Sequence, residues 1–277
     1  MLQLYKRFHV MSIVNLRLVC MTYNLSIIDK CPFLHYNNHM EKRFFVNRED
    51  ISDESITIHD DEHQHLAKVM RLRVGDEVEC FYDGSEVYKC RIDEIDKRET
   101  HLTVLSSSPC DSNPVLNITL FQALPKLDKL ELISQKICEI GATCVVPFSS
   151  KFCIAKDNSA KIDRLNKIII SSCKQCGRTR LLDVHSTVSF NEMLGMLGDY
   201  DIVLFANEKE NTTTLRDLLV GKSYRNVAVI VGSEGGFSDD EIKVLCEASQ
   251  SFTFGKRILR CETAGIVAVA NVECLLG

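Results

Sequence analysis

Residues 227–240, VAVIVGSEGGFSDD, constrain this chain more than any other segment. Val227 to Val231 is apolar throughout and rich in β-branched residues, the pattern of a strand buried on both faces. The chain then breaks into Gly232, Ser233, Glu234, Gly235 and Gly236. A helix start follows, with Ser238 as N-cap and Glu241 three residues on, the spacing of a capping box. Strand, bare backbone and helix start are how α/β proteins build a pocket at the carboxyl ends of parallel strands. Glycines there let a ligand reach main-chain N–H and C=O groups that side chains would cover.

The ligand is constrained by what the loop lacks. It is neither GxGxxG nor a P-loop, so dinucleotide and nucleoside-triphosphate chemistry are not indicated. Glu234 stands where a phosphate cradle needs backbone donors and positive charge. A carboxylate there repels phosphate but tolerates a cation or an amine, and S-adenosylmethionine, with a sulfonium and no phosphate, is compatible. Spacing alone leaves a second reading open, in which Glu234 faces solvent and the glycines merely turn the chain.

The chain has 277 residues and a formal net charge of −5, with 45% hydrophobic and 26% charged residues, as expected of a soluble globular protein. Its length accommodates one large domain or two modest ones. The 13 cysteines are scattered without a paired framework, which fits a reducing cytoplasm. Cys173 and Cys176 form a CxxC without a second pair at zinc spacing, so no metal site is expected there. An acidic chain does not coat nucleic acid nonspecifically, so any RNA contact needs a local basic patch. Lys151, Lys156, Lys161, Arg164, Lys167, Lys174, Arg178 and Arg180 supply one, and two arginines on the turn after Gly177 suit phosphate contacts. No span approaches the ~18–20 apolar residues of a membrane helix.

Residues 43–105 read as short strands with turns around a short helix at 63–70. The polar stretch 106–114 reads as a linker. Beyond it, strands and helices alternate. Strand 116–123 leads to a helix carrying Leu127, Leu130, Ile133, Ile137 and Ile140 on one face and closed by Gly141. A helix over about 159–173, a helix at 238–248 and an apolar final helix from about Glu262 follow, with strands between them. Such alternation predicts a mainly parallel sheet covered on both faces.

GSEGGFSDDEI followed by LRCETAGIVAVA resembles the paired signature of the bacterial 16S ribosomal RNA (uracil-N3)-methyltransferases, a branch of the SPOUT superfamily. HLAKVMRLR at 65–73, FYDGS at 81–85, KLDKLELISQKICEIG at 126–141 and CKQCGRTR at 173–180 match the same family in order. The match runs from about Met40 to Gly277, with one departure: Ser233 stands where many members carry proline, which frees a φ angle. The resemblance implies an α/β SPOUT-type trefoil-knotted methyltransferase domain preceded by a small PUA-like β-barrel. The expected division is an extension at 1–39 with no assigned role, the barrel at 40–107, a linker at 108–115 and the methyltransferase domain at 116–277.

It also implies S-adenosylmethionine as cofactor, held by the loop after Phe205, the GSEGG loop and residues 258–264. Gly232, Gly235 and Gly236 are expected to line it through their backbone. Leu204, Ile230, Leu259, Thr263 and Ala264 are expected as walls and main-chain partners, and Glu208 and Glu234 as contacts to the ribose or the cationic portion. Arg260, Glu262 and Arg178 are the expected catalytic residues, orienting uracil or assisting loss of its N3 proton, although a salt bridge from Arg260 to another acid is an equal reading. No residue pattern identifies a general base. Lys68, Arg71, Arg73, Arg178 and Arg180 are the expected RNA contacts. The implied partners are 16S ribosomal RNA within the small subunit and a second copy of the chain, with Ile266, Val267, Val269, Ala270 and Val272 available to a dimer interface.

Overall fold

The computed structural model describes residues 42–154 and 162–277. The expected extension at 1–39, the start of the helix expected at 159, and Lys156 and Lys161 of the basic run lie outside the described residues.

The first sheet comprises β1 (Arg43–Phe45), β2 (Ser55–Ile58), β3 (Glu77–Phe81), β4 (Glu86–Ile95) and β5 (Thr100–Pro109), in the order β1-β3-β4-β5-β2. Alternation places Tyr88, Cys90 and Ile92 of β4 inside, and irregular register at Lys89/Cys90 and Ile92/Glu94 curls the β4–β5 ribbon. Phe44, Ile56, Ile58, Val78 and Leu102 complete the core, plugged by Leu66 from the helical turn after β2. That turn is α1 (Asp60–Gln64) running into a π-helical turn at His65–Val69. The expected linker begins too early at 108: Ser108 and Pro109 still pair with Val87 and Glu86, because polar residues on an outward-curling strand read as loop by composition.

The second sheet is parallel throughout, in the order β12-β10-β11-β6-β7-β8 with β9 also on β7. Its strands are β6 (Asn117–Ala123), β7 (Cys144–Ser149), β8 (Asp183–Val184), β9 (Val188–Ser189), β10 (Ile202–Ala206), β11 (Asn226–Val231) and β12 (Gln250–Phe252). α2 (Lys129–Ile140), α3 (Ile162–Cys176), α5 (Leu215–Leu219) and α7 (Cys261–Leu276) pack on one face, where Ile133, Ile169, Leu219 and Val269 meet Leu120 and Val229. α4 (Phe190–Met196) and α6 (Asp239–Ala248) cover the other, where Met193 and Leu245 meet Phe121, Phe148 and Phe205. Each central strand alternates between these two cores, which is why it reads as a continuous apolar run. The α/β class expected from the sequence is the class observed.

Leu127 is a correction. It lies before α2 rather than on its apolar face, 82% exposed with φ +57°. The final helix packs closely because Gly265 lets it approach β6: a Cβ there would come 2.9 Å from Gln122 Oε1 and 3.3 Å from Leu120 Cδ2. Val269 and Val272 are buried inside this chain, which leaves Ile266, Val267 and Ala270 half-buried.

The segment 177–181 docks the two sheets together. Asn113 receives hydrogen bonds from Thr179 N and Arg180 N, Thr179 Oγ1 donates to Gly84 O, and Leu181 N donates to Asp83. α1 adds ion pairs to α3, Asp61 with Lys167 at 2.9 Å and Glu62 with Lys174 at 2.8 Å.

Candidate functional site

Three loops converge at the carboxyl ends of β10, β11 and β12: residues 207–213, residues 232–236, and residues 253–260 leading into α7. Together they enclose a cavity of about 800 Å³. Gly236 takes φ +64° and its N–H donates to Ser233 O at 3.0 Å, closing the glycine turn on itself. Gly235 is pressed against the chain after β7, where a Cβ would come 2.8 Å from Phe152 Cβ and 3.0 Å from Phe152 O. Gly232 O accepts from Gln122 Nε2 at 3.1 Å. The capping box of Ser238 and Glu241 forms as the spacing predicts, and Glu241 also accepts from Lys151 N.

Lys129, which lies in the 126–141 motif without an expected role, is the charge at the centre of this end of the cavity. Its ammonium reaches Glu234 Oε1 at 2.8 Å and Glu262 Oε2 at 3.0 Å. Glu234 also accepts from Lys126 N at 3.2 Å. Partial burial raises the pKa of both carboxyls, but hydrogen bonds from Lys129 and backbone N–H groups outweigh it and hold each below its ordinary value. The same bonds, Glu234 first, raise the pKa of Lys129. Burial and the bond to Glu262 push the Cys261 thiol up to about 12, so it is protonated at neutral pH.

Glu210 organises the first loop. It accepts from the backbone of Asn211, Thr212 and Thr213 and from Thr212 Oγ1, bonds that draw its pKa down to about 2. Glu208 lines the cavity and is exposed, without a polar partner among the described residues. Lys256, Arg257 and Arg260 line it on the opposite loop, exposed and likewise unpaired, so among the described residues the salt bridge considered for Arg260 is not made. These cations qualify the expectation of a site without phosphate-binding charge: the glycine loop carries none, but the rim carries these three and Lys209, which pairs with Asp239.

Of the expected residues, Glu208, Gly232, Glu234, Gly235, Gly236, Leu259, Arg260 and Ala264 line the cavity, and Glu262 adjoins it through Lys129. Leu204, Ile230 and Thr263 do not. Leu204 and Ile230 are fully buried in the opposite cores beneath the site, and Phe205, Ala206 and Val231, one or two residues further along, reach it together with Phe252 at the end of β12. Thr263 faces outward from α7.

Arg178 lies neither at the cavity nor on the surface, the positions its expected roles call for. It is 2% exposed, and its guanidinium donates to Cys138 O at 2.9 Å, Ala142 O at 2.8 Å, Leu181 O and Arg180 O. It caps the carboxyl end of α2, where the helix dipole favours a cation. The rest of the basic run is largely engaged as well: Arg164 pairs with Glu131, and Lys167 and Lys174 pair with α1. Arg180 stays exposed while bonding Asn117 at 3.1 Å. Lys68, Arg71 and Arg73 are exposed beside Val69 and Val74, which are 68% and 62% exposed, and they form no ion pair among the described residues.

The chain matches the RNA methyltransferase domain family over residues 111–273 and the RNA methyltransferase PUA domain family over 58–105. It is 30% identical to ribosomal RNA small subunit methyltransferase E of Bacillus subtilis, a match covering 79% of this chain and 90% of that protein. The chain belongs to the ribosomal RNA small subunit methyltransferase E family. Another member of the family, from Rickettsia conorii, is 29% identical over 84% of this chain and 95% of its own length. The family's Neisseria gonorrhoeae enzyme, crystallised bound to S-adenosyl methionine, superposes with a TM-score of 0.77 at 28% identity, covering 85% of this chain and 98% of that one. No helix among the described residues is long and apolar enough to cross a membrane.

Proposed function

We propose that this methyltransferase uses S-adenosylmethionine to methylate N3 of a uridine in 16S ribosomal RNA, with the donor held in the three-loop cavity. The observation that carries the reading is the pairing of bare glycine backbone with a carboxylate, Glu208, that has no partner among the described residues, in a cavity of about 800 Å³. That volume lies in the range of small-molecule and cofactor sites. Gly235 fits the assignment too, since any side chain there would collide with Phe152 and displace the loop. When bound, the donor supplies an electrophilic methyl group on a sulfonium.

The protein's own residues do the positioning. Gly232, Gly235 and Gly236 present main-chain groups to the adenosine, with Leu259 and Ala264 as apolar walls. Glu208 offers its carboxylate to the ribose or to positive charge, while Glu234 is held by Lys129 and shapes the loop. N3 of uracil is a poor nucleophile until its proton leaves, so the site must stabilise developing negative charge on the base. Arg260 stands at the rim with no ion pair among the described residues and is the group for that task. Lys256 and Arg257 beside it suit the flanking phosphates. Because N3 lies on the Watson–Crick edge, the target base enters unpaired or flipped out.

Lys68, Arg71, Arg73 and Arg180 give the RNA a second basic contact away from the cavity. Ile266, Val267 and Ala270 of α7 would meet a second copy of the chain, and the cytoplasm, with the small ribosomal subunit as the working substrate, completes the reading. Undermethylated small subunits incubated with the purified chain and donor, then digested for nucleoside mass spectrometry, test it. The expected outcome is gain of 3-methyluridine alone. Ribose-methylated nucleosides, or no product despite donor binding, would overturn it.

A further inference from the structure

The β2–β5–β4 end of the first sheet carries a cluster that the methyltransferase reading leaves unused. Register creates it. Thr57 lies opposite His101 and Ile58 opposite Thr100, so His59, one residue past β2, stands across from Glu99. On the other side of β5, Ile95 lies opposite Thr100, and Asp96 N donates to Glu99 O at 2.9 Å. Ile58 and Thr100 point into the core, so their neighbours His59, Glu99 and His101 share the outer face.

We propose that Asp96, Glu99 and His101 form a binding site for a divalent transition-metal ion, with zinc the best match, and that His59 stands beside it against Glu99. Ligand atoms of Asp96, Glu99 and His101 all lie within 4.8 Å of one another. His101 Nε2 is 3.2 Å from Glu99 Oε1 and 3.8 Å from Asp96 Oδ2, and His59 Nδ1 is 3.3 Å from Glu99 Oε2. The outer nitrogen of each ring is engaged behind the cluster. His101 Nδ1 lies 3.5 Å from Thr57 Oγ1, and His59 Nε2 lies 3.5 Å from Asp50 Oδ1. A metal-binding imidazole needs such an outer partner to fix its orientation and tautomer.

The donor set selects the ion. An imidazole with two carboxylates suits zinc and its borderline-soft neighbours, whereas magnesium and calcium take all-oxygen shells. The charge balance agrees, because Asp50, Asp96 and Glu99 converge here and Lys97 and Arg98 of the same turn form no ion pair among the described residues. A bound ion would tie β4 and β5 together beside the root of α1, the helix that supplies the ion pairs to α3. The site stands apart from the cavity and does not depend on the methyl-transfer assignment.

Cobalt(II), a spectroscopic substitute for zinc, titrated into the full-length reduced chain at about pH 7.5 tests this. Expected are weak d–d bands saturating at about one equivalent, no thiolate-to-metal charge-transfer band, and loss of the bands in H59A/H101A and in E99Q. Both rings are about two-fifths exposed, at 38% and 40%, and E99Q keeps the side chain's shape, so at least one variant retains the fold. Zinc should also raise the unfolding midpoint of the parent chain but not of the variants. Absence of the bands, a thiolate band from the cysteines, or bands that survive both substitutions would each overturn the proposal.

Discussion

Lys129 Nζ lies 2.8 Å from Glu234 and 3.0 Å from Glu262, so one ammonium at the start of α2 joins the glycine loop to the first turn of α7. Removing it leaves two carboxylates close together with no counter-charge, and their repulsion pushes the loop away from α7. Loss of a positive charge would by itself favour a cationic donor, but that effect is screened at a site open to solvent. The geometric effect should win, because the loop is expected to bind through its backbone. K129M should therefore weaken binding of S-adenosylmethionine about tenfold, and of its product, which lacks the sulfonium charge, by the same factor. Calorimetry with both ligands checks this. Tighter binding of the donor with unchanged binding of the product would mean that charge, not loop geometry, is what Lys129 supplies.

Glu210 gives the site a dependence on acid. Its pKa, drawn down to about 2 by three backbone N–H groups and a hydroxyl, is depressed below that of an unfolded glutamate near 4.5. A depressed carboxyl contributes stability that is complete above the unfolded value and fades as pH falls through the folded one. Loop 207–213 should hold its structure from neutrality to about pH 4.5 and lose this contribution between about 4.5 and 2. E210Q removes that part of the pH dependence. The difference between parent and E210Q unfolding curves, followed as pH is lowered, is expected to shrink across this window; a constant difference would exclude the role.

Arg178 is a structural cation, and its substitution should affect folding before RNA. R178A strips hydrogen-bond donors from four carbonyls, at Cys138, Ala142, Arg180 and Leu181. Leaving buried acceptors unpaired predicts a loss of about 3–5 kcal/mol, measurable by urea unfolding. Retained stability with weakened RNA binding would return Arg178 to the role the sequence suggested.

Local rules made the frame legible. Val227–Val231, the turn that follows and the Ser238/Glu241 box were all written in nearest-neighbour chemistry, and each formed where the spacing placed it. What escaped was decided across the chain. Lys129 is unremarkable in an amphipathic helix until the fold brings Glu234 and Glu262 to it. Gln122, inside an apolar strand, gains meaning only from Gly232 and Gly265. Leu204 and Ile230 fell short because the cavity opens where the strands end, and only the last one or two residues reach it. Arg178 looked like a phosphate ligand because sequence gives charge but not burial. The knot implied by family resemblance is a property of the whole path, so no local propensity reports it.

The exposed strip Lys68, Arg71 and Arg73 makes a different prediction from the cavity. Neutralising it should lower affinity for small-subunit RNA and leave donor binding unchanged. Arg71 has φ +54°, so asparagine, which tolerates that conformation, is the suitable replacement there. K68Q/R71N/R73Q should reduce the slope of log affinity against log salt by roughly 0.7 for each single-strand phosphate that is no longer neutralised, about 2 in all. RNA titrations at several salt concentrations read the slope. An unchanged slope would mean that the strip only keeps the surface soluble.

Leu127 offers a test of stored backbone strain. It holds φ +57° in the turn before α2 while its side chain is 82% exposed, so its left-handed conformation is set against almost no burial. A non-glycine residue there is disfavoured by about 1–2 kcal/mol, and glycine removes that penalty while adding freedom to the unfolded chain. The strain relief is the larger of the two, so L127G should stabilise the protein by about 0.5–1 kcal/mol. For a chain of this size that corresponds to roughly 1–2 °C in the unfolding midpoint. Calorimetric scans of parent and variant decide it, and a lower midpoint for L127G would mean that the leucine makes a contact worth more than the strain. Lys126 and Asp128 flank this turn, and Lys126 N reaches Glu234, so the same substitution should leave donor affinity intact only if glycine keeps the turn's geometry.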